Sequence, residues 1–131
     1  MTPTMDTLTT RGINIRVDTE YWAPYSQPDR DHYVFAYRIE IENQSLEPVQ
    51  LQRRCWKVTN SLGDVRMVEG PGVVGETPSV APGERYSYTS WCQLRSPIGS
   101  MEGFYTMESD RGTSFPVFVP RFVLTAPWKL N

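Results

Sequence analysis

The chain has 131 residues, of which 39% are hydrophobic, and its 13 basic and 15 acidic side chains leave a net charge of −2. That length suits one domain, large enough to fold without a metal or disulfide staple. The charge balance lacks the footprint of a general nucleic-acid binder, no apolar run is long enough to span a membrane, and residues 1–10 have no apolar core of a secretory signal, so a cytoplasmic protein is expected.

Residues 1–10 read as a flexible lead-in, 11–126 as the folded domain and 127–131 as a C-terminal tail. Ile13, Ile15, Val17 and Tyr21 mark a first strand, with Asn14 and Arg16 facing the other way. A turn-rich stretch from Ala23 to His32 precedes the clearest period-two signal. There Phe35, Tyr37, Ile39 and Ile41 alternate with Ala36, Arg38, Glu40 and Glu42. Asn43 to Pro48 turns the chain into a third strand from Val49 to Val58. Its apolar residues move from odd to even positions, which predicts a bulge or twist near Arg53 and Arg54.

Asn60-Ser61-Leu62-Gly63 is a turn, and Asp64 to Glu69 returns as a fourth strand. Gly70 to Gly83, with four glycines and three prolines, reads as a loop or a distorted edge. Arg85 to Cys92 and Ser100 to Ser109 are further strands, and in the second Gly103 is placed to let two backbones approach closely. Asp110-Arg111-Gly112 signals a hairpin into the final strand, which carries Phe115, Val117, Val119, Phe122 and Leu124. Seven or more short antiparallel strands joined by turns predict an all-β fold, an immunoglobulin or fibronectin type III-like β-sandwich.

No catalytic constellation stands out. His32 is the only histidine and reads as a solvated loop residue, so neither Cys55 nor Cys92 has a sequence-evident base. The two cysteines suit free thiols in a reducing compartment, and together with one histidine they make no zinc spacing. No catalytic residue, cofactor or metal ligand is therefore assigned.

The sharpest motif is Gly70-Pro71-Gly72-Val73-Val74-Gly75-Glu76-Thr77. As a dinucleotide fingerprint it lacks the following helix, because Pro78 intervenes; as a P-loop it carries Glu76 where lysine belongs. Two readings stay open. The glycines permit an irregular edge, or their amides form an anion-binding nest at Gly70, Gly72 and Gly75 with Arg54 or Arg66 as the cation. Among the aromatics, Tyr21, Trp22, Tyr25, Phe104, Trp91 and Trp128 are hard to bury together. Trp91, Trp22 and Phe104 form the candidate interaction patch, with partial burial at sheet edges as the plainer alternative.

The blocks Arg54–Gly63, Val68–Pro78, Pro82–Glu84, Tyr86–Ser90, Gly99–Met107 and Phe115–Leu124, taken in order, resemble the ApaG family over nearly the whole chain. The resemblance implies a small bacterial protein with a fibronectin type III-like sandwich and no established catalytic residues. Family members are linked by gene neighbourhood to diadenosine tetraphosphate hydrolysis and ribosomal RNA methylation, and the family name to cobalt and magnesium tolerance. Related domains in eukaryotes look like protein-interaction modules. Cys55 stands where the family usually has histidine, and Trp91 where it often has glycine. The leading expectation is a non-catalytic module that binds an unidentified protein partner, itself a monomer or weak homodimer. The alternatives are a nucleotide polyphosphate bound at the Gly70–Gly75 loop, or a role in divalent cation tolerance.

Overall fold

The computed structural model describes residues 6–127. Its strands, in chain order, are β1 (Asp6–Thr10), β2 (Ile13–Tyr21), β3 (Tyr33–Asn43), β4 (Val49–Asn60), β5 (Val65–Pro71), β6 (Ser79–Val80), β7 (Arg85–Leu94), β8 (Ile98–Ser109) and β9 (Ser114–Thr125). They form two antiparallel sheets, one ordered β1-β2-β3-β7 and the other β5-β4-β8-β9 with β6 paired to the start of β4. The expected β-sandwich is thus present. Two single-turn 3₁₀ helices, Ala23–Tyr25 and Pro28–Arg30, occupy the turn-rich stretch before β3.

The lead-in expected to be flexible is corrected in part. Asp6–Thr10 pairs with β2 in register from Asp6↔Val17 to Thr10↔Ile13. The physical cause is a two-residue turn whose Arg11 and Gly12 both have positive φ, 51° and 82°, matching the twist of a tight hairpin. The remainder of that lead-in, residues 1–5, and residues 128–131 of the expected tail lie outside the described residues.

The apolar alternation read from the sequence is the core. Ile13, Ile15, Ile39, Ile41, Leu51, Tyr105, Met107, Val117 and Leu124 are all inaccessible to solvent or nearly so. Such side chains stabilise a fold by roughly 1.5–3 kcal/mol each on burial. Trp56 sits among Tyr37, Tyr105 and Phe122, with ring centroids 5.7–6.0 Å away. The Tyr88 and Tyr105 hydroxyls, one from each sheet, share a 2.5 Å hydrogen bond inside this cluster. Burial pushes both hydroxyls well above the ordinary phenol value.

Two irregularities decide which residues face inward. The β4–β8 register slips between Leu51 and Arg53, so the expected bulge is found at Gln52. Ahead of it Val49 and Leu51 are buried, and after it Trp56 and Val58 are. The extra residue therefore turns Arg54 to the face of Trp56. At the centre of the same pairing, a Cβ on Gly103 would lie 1.9 Å from the Cys55 carbonyl oxygen, which accounts for the glycine.

The two long sides of the sandwich differ. On one side β1 and β2 pack against β9, the Phe118 amide donates to Thr10 Oγ1 at 3.2 Å, and the Arg11 guanidinium lies 4.5 Å from the Phe115 ring centre. On the other, edge strands β5 and β7 stand apart and Arg66 bridges them.

Candidate functional site

The open side holds three adjoining features: a cleft between the sheets, a glycine hairpin at its rim and an aromatic groove around the β7 edge. Strand periodicity builds the cleft. Arg54, Trp56 and Val58 of β4 line one wall, Arg66 and Val68 of β5 extend it, and Ser90 and Cys92 of β7 stand opposite, around about 300 Å³. Arg54 is half-buried and donates from Nη1 to the carbonyl oxygens of Pro71 and Gly72, both at 3.0 Å. Arg66 donates from Nη2 to the Gln93 carbonyl at 2.9 Å and lies 3.6 Å from Cys92 Sγ.

Among the described residues no carboxylate lines this cleft. The ion pairs among the described residues are Arg16–Glu40, Arg85–Glu42 and Arg111–Glu47, so neither Arg54 nor Arg66 has an acidic partner there. Beside the cleft Trp56 is 2% exposed, and its buried Nε1 has no hydrogen-bond partner among the described residues. Tyr37 and Ser90 line the cleft together; burial raises the Tyr37 pKa, and the neighbouring Ser90 opposes that rise. Burial also raises the Cys92 thiol, and the Arg66 charge partly offsets it. Cys55 and Cys92 are both free, the first half-buried and the second buried.

The glycine-rich segment is a hairpin rather than an amide nest. Val73 and Glu76 exchange two backbone hydrogen bonds of 2.8 and 2.9 Å across Val74 and Gly75, which have φ of 43° and 82°. Gly72 donates to the Gln52 carbonyl at 2.9 Å. The amides of Gly72, Val73 and Glu76 therefore point to carbonyls of the chain itself. Gly72 has φ +62°, and a Cβ there would lie 2.2 Å from the Glu76 carbonyl oxygen. Gly70 lies against the Arg54 guanidinium, whose nitrogens would be 3.4 Å from an added Cβ. Arg54 thus joins the loop through its carbonyls, and Arg66 lies in the cleft.

The aromatic groove belongs to the outer face of the first sheet. Trp22 and Tyr25 pack at 5.4 Å, and with His32, Val34, Trp91 and Gln93 they surround about 380 Å³ of mostly apolar space. Trp91 is 61% exposed and Tyr25 67%. Trp91 stands opposite Ala36, and Ala36 and Val34 are buried although they face outward, because this aromatic layer covers them. Farther along the same face, charges pair across strands at Arg16–Glu40 and Arg85–Glu42. Apolar and charged surface are therefore segregated along the sheet.

The structure brings Trp22 and Trp91 together and separates Phe104 from them. Phe104 lies on the other sheet, 6.1 Å from Phe118, because β8 pairs with β9 there. Tyr21 packs against the core, and Trp128 lies outside the described residues. His32 is half-buried at the groove instead of freely solvated, since its backbone pairs with Gln27. The role of Trp56 at the cleft was missed, because its spacing in the sequence marks only a core anchor. Among the described residues no three His, Cys, Asp or Glu side chains converge as metal ligands would, and no helix is long and apolar enough to cross a membrane.

Comparison with known proteins bears on the whole assembly. The ApaG domain profile matches residues 23–109. The Protein ApaG of Parvibaculum lavamentivorans and that of Rhodospirillum centenum are each 48% identical over 118 residues, covering 90% of this chain and 91% of the relative. A crystal structure from Bordetella pertussis named for ApaA superposes with a TM-score of 0.84 at 38% identity, covering 95% of this chain and 98% of that one. With the domain match spanning β3 to β8, and both relatives aligned over nine-tenths of their length, the chain belongs to the ApaG domain family.

Proposed function

We propose that this domain is a non-catalytic binding module that takes a protein partner on the aromatic groove beside the β7 edge. The observation that carries the reading is the exposure of Trp91 and Tyr25 around an apolar groove next to a strand paired on one side only. Large, exposed aromatics of this kind supply most of the energy at protein interfaces. An unpaired edge offers main-chain hydrogen bonds to an added strand, so an extended peptide suits both features. The module acts in the cytoplasm as a monomer or weak homodimer, with no role for nucleic acid.

A photo-crosslinker at Gln93 in the full chain identifies the partner, and calorimetry with that purified partner then tests the groove. Trp91→Ala is expected to weaken binding about tenfold or more. An unchanged affinity would remove the groove from the interface. A nucleotide polyphosphate at the Gly70–Gly75 hairpin is less well supported, because the amides of Gly72, Val73 and Glu76 are engaged within the fold. Divalent cation tolerance has no converging ligand set behind it among the described residues.

A further inference from the structure

The cleft beneath Trp91 combines features that the groove does not need. Among the described residues it is lined by Arg54, Arg66, Tyr37 and Ser90 and by Trp56, whose Nε1 is buried without a hydrogen-bond partner, and by no carboxylate. Arg54 spends Nη1 on two carbonyls and Arg66 spends Nη2 on one. Carbonyl partners satisfy donors without cancelling charge. Half-buried Arg54 and exposed Arg66 therefore line one open cleft with no counter-charge supplied by the described residues. A buried donor left unmatched, as Trp56 Nε1 is, costs free energy unless an acceptor comes from outside the chain.

From this geometry we infer that the cleft between β4, β5 and β7 is a binding site for a phosphate group, held by Arg54 and Arg66 with Trp56 Nε1 as a further donor. A dianionic oxyanion answers each feature: it supplies two negative charges for two guanidinium forks and has oxygen to spare for the indole N–H. A volume near 300 Å³ is at the small end of ligand pockets, which suits inorganic phosphate or the phosphate of a small ester. The ligand is placed in the cleft and not on the glycine hairpin, whose part is to hold Arg54 by the Pro71 and Gly72 carbonyls. The site goes beyond the protein-binding reading and stands without it; Trp91 is the residue common to both.

The test is a proton–nitrogen NMR titration of the full chain with sodium phosphate at constant ionic strength, using sodium chloride as the control. The Trp56 indole resonance is expected to shift saturably with phosphate and not with chloride. Arg66→Ala should weaken the apparent affinity about tenfold, the loss expected for one charged donor. Trp56→Phe, which keeps an apolar ring in place, should weaken it by less. Phenyl phosphate in a parallel titration separates the two sources of the ligand: tighter binding than inorganic phosphate assigns an ester, whereas equal binding assigns the free ion. No saturable shift at Trp56, a shift that chloride reproduces, or full affinity in Arg66→Ala overturns the proposal. Arg54→Lys serves as a second variant, retaining charge while losing the fork, with binding weakened in a protein whose amide spectrum remains that of the folded chain. Loss of partner binding in Trp91→Ala with phosphate binding intact would leave both readings standing separately.

Discussion

The two sides of the sandwich are built from the same kinds of strand and do different things. On the β1–β9 side the sheets meet, joined by a hydrogen bond from Phe118 to Thr10 and by Arg11 over Phe115. On the β5–β7 side, Arg66 spans the gap, and β5 exposes Val65, Met67 and much of Val68. Arginine appears on both sides with opposite consequences. Arg11 lies over an aromatic face, where its charge is answered by the ring. Arg54 and Arg66 face backbone carbonyls, which do not cancel their charge. The difference teaches that closure is a matter of what the edge strand carries: β1 packs onto β9, whereas β5 ends in a hairpin that turns back on Arg54.

The largest break to that contrast comes from the frame both sides share. Gly103→Val should destabilise the fold by about 3 kcal/mol or more, read by urea unfolding, because the new Cβ meets the Cys55 carbonyl of the neighbouring strand. A smaller loss would mean that β4 and β8 can separate locally, and that the open side begins deeper than the cleft.

Alkali should find the open half next. The folded chain keeps the protons of Tyr37, Tyr88 and Tyr105, whose pKa values are raised by burial, while the unfolded chain releases them near pH 10. The native state then binds more protons than the unfolded one, so stability falls as pH rises above 10 and is unaffected by these groups well below it. Each tyrosine contributes a slope of up to about 1.4 kcal/mol per pH unit. Denaturant midpoints between pH 8 and 11 measure this, and Tyr88→Phe should make the fall shallower.

Gly72→Ala should cost about 2 kcal/mol, since it combines positive φ with a clash against the Glu76 carbonyl. Hydrogen exchange should show that loss concentrated in β5 and the hairpin, leaving β1 and β9 protected. The smallest effects separate the sides most sharply. Thr10→Val on the closed side should cost about 0.5 kcal/mol for one exposed hydrogen bond. Trp56→Phe on the open side should change stability by less than about 1 kcal/mol, because removing an orphaned donor offsets the lost packing. Thermal unfolding in a phosphate-free buffer checks both.

Much of this molecule was legible in advance. Alternation at Phe35, Tyr37, Ile39 and Ile41 predicted a half-buried strand, and those residues are buried in β3. The move from odd to even positions in β4 predicted the bulge found at Gln52, because a one-residue insertion reverses every later side chain. The placement of Gly103 predicted a close approach, which Cys55 makes. Where local pattern ran out, the reading did too. Asp6–Thr10 has no strong alternation, and its strand depends on the Arg11-Gly12 turn and on β9 beyond it. The two-residue β6 is held against β4, with Asn43 Nδ2 donating to the Val80 carbonyl at 2.9 Å, a partner 37 positions away.

The sequence by itself determined the strand-forming pattern, most of the turns, the site of the bulge and the inward set of side chains. All of these follow from spacing between near neighbours. It also named Arg54, Arg66, Trp22 and Trp91 as chemistry without a place. Only the tertiary structure decided that both arginines line one cleft, that the two tryptophans share a groove and that Phe104 belongs to the opposite sheet. Each depends on which strands become neighbours across the sandwich. Pairing of β3 with β7 and β4 with β8 joins segments distant in sequence, and the charge, exposure and missing partners of a residue are properties of that meeting.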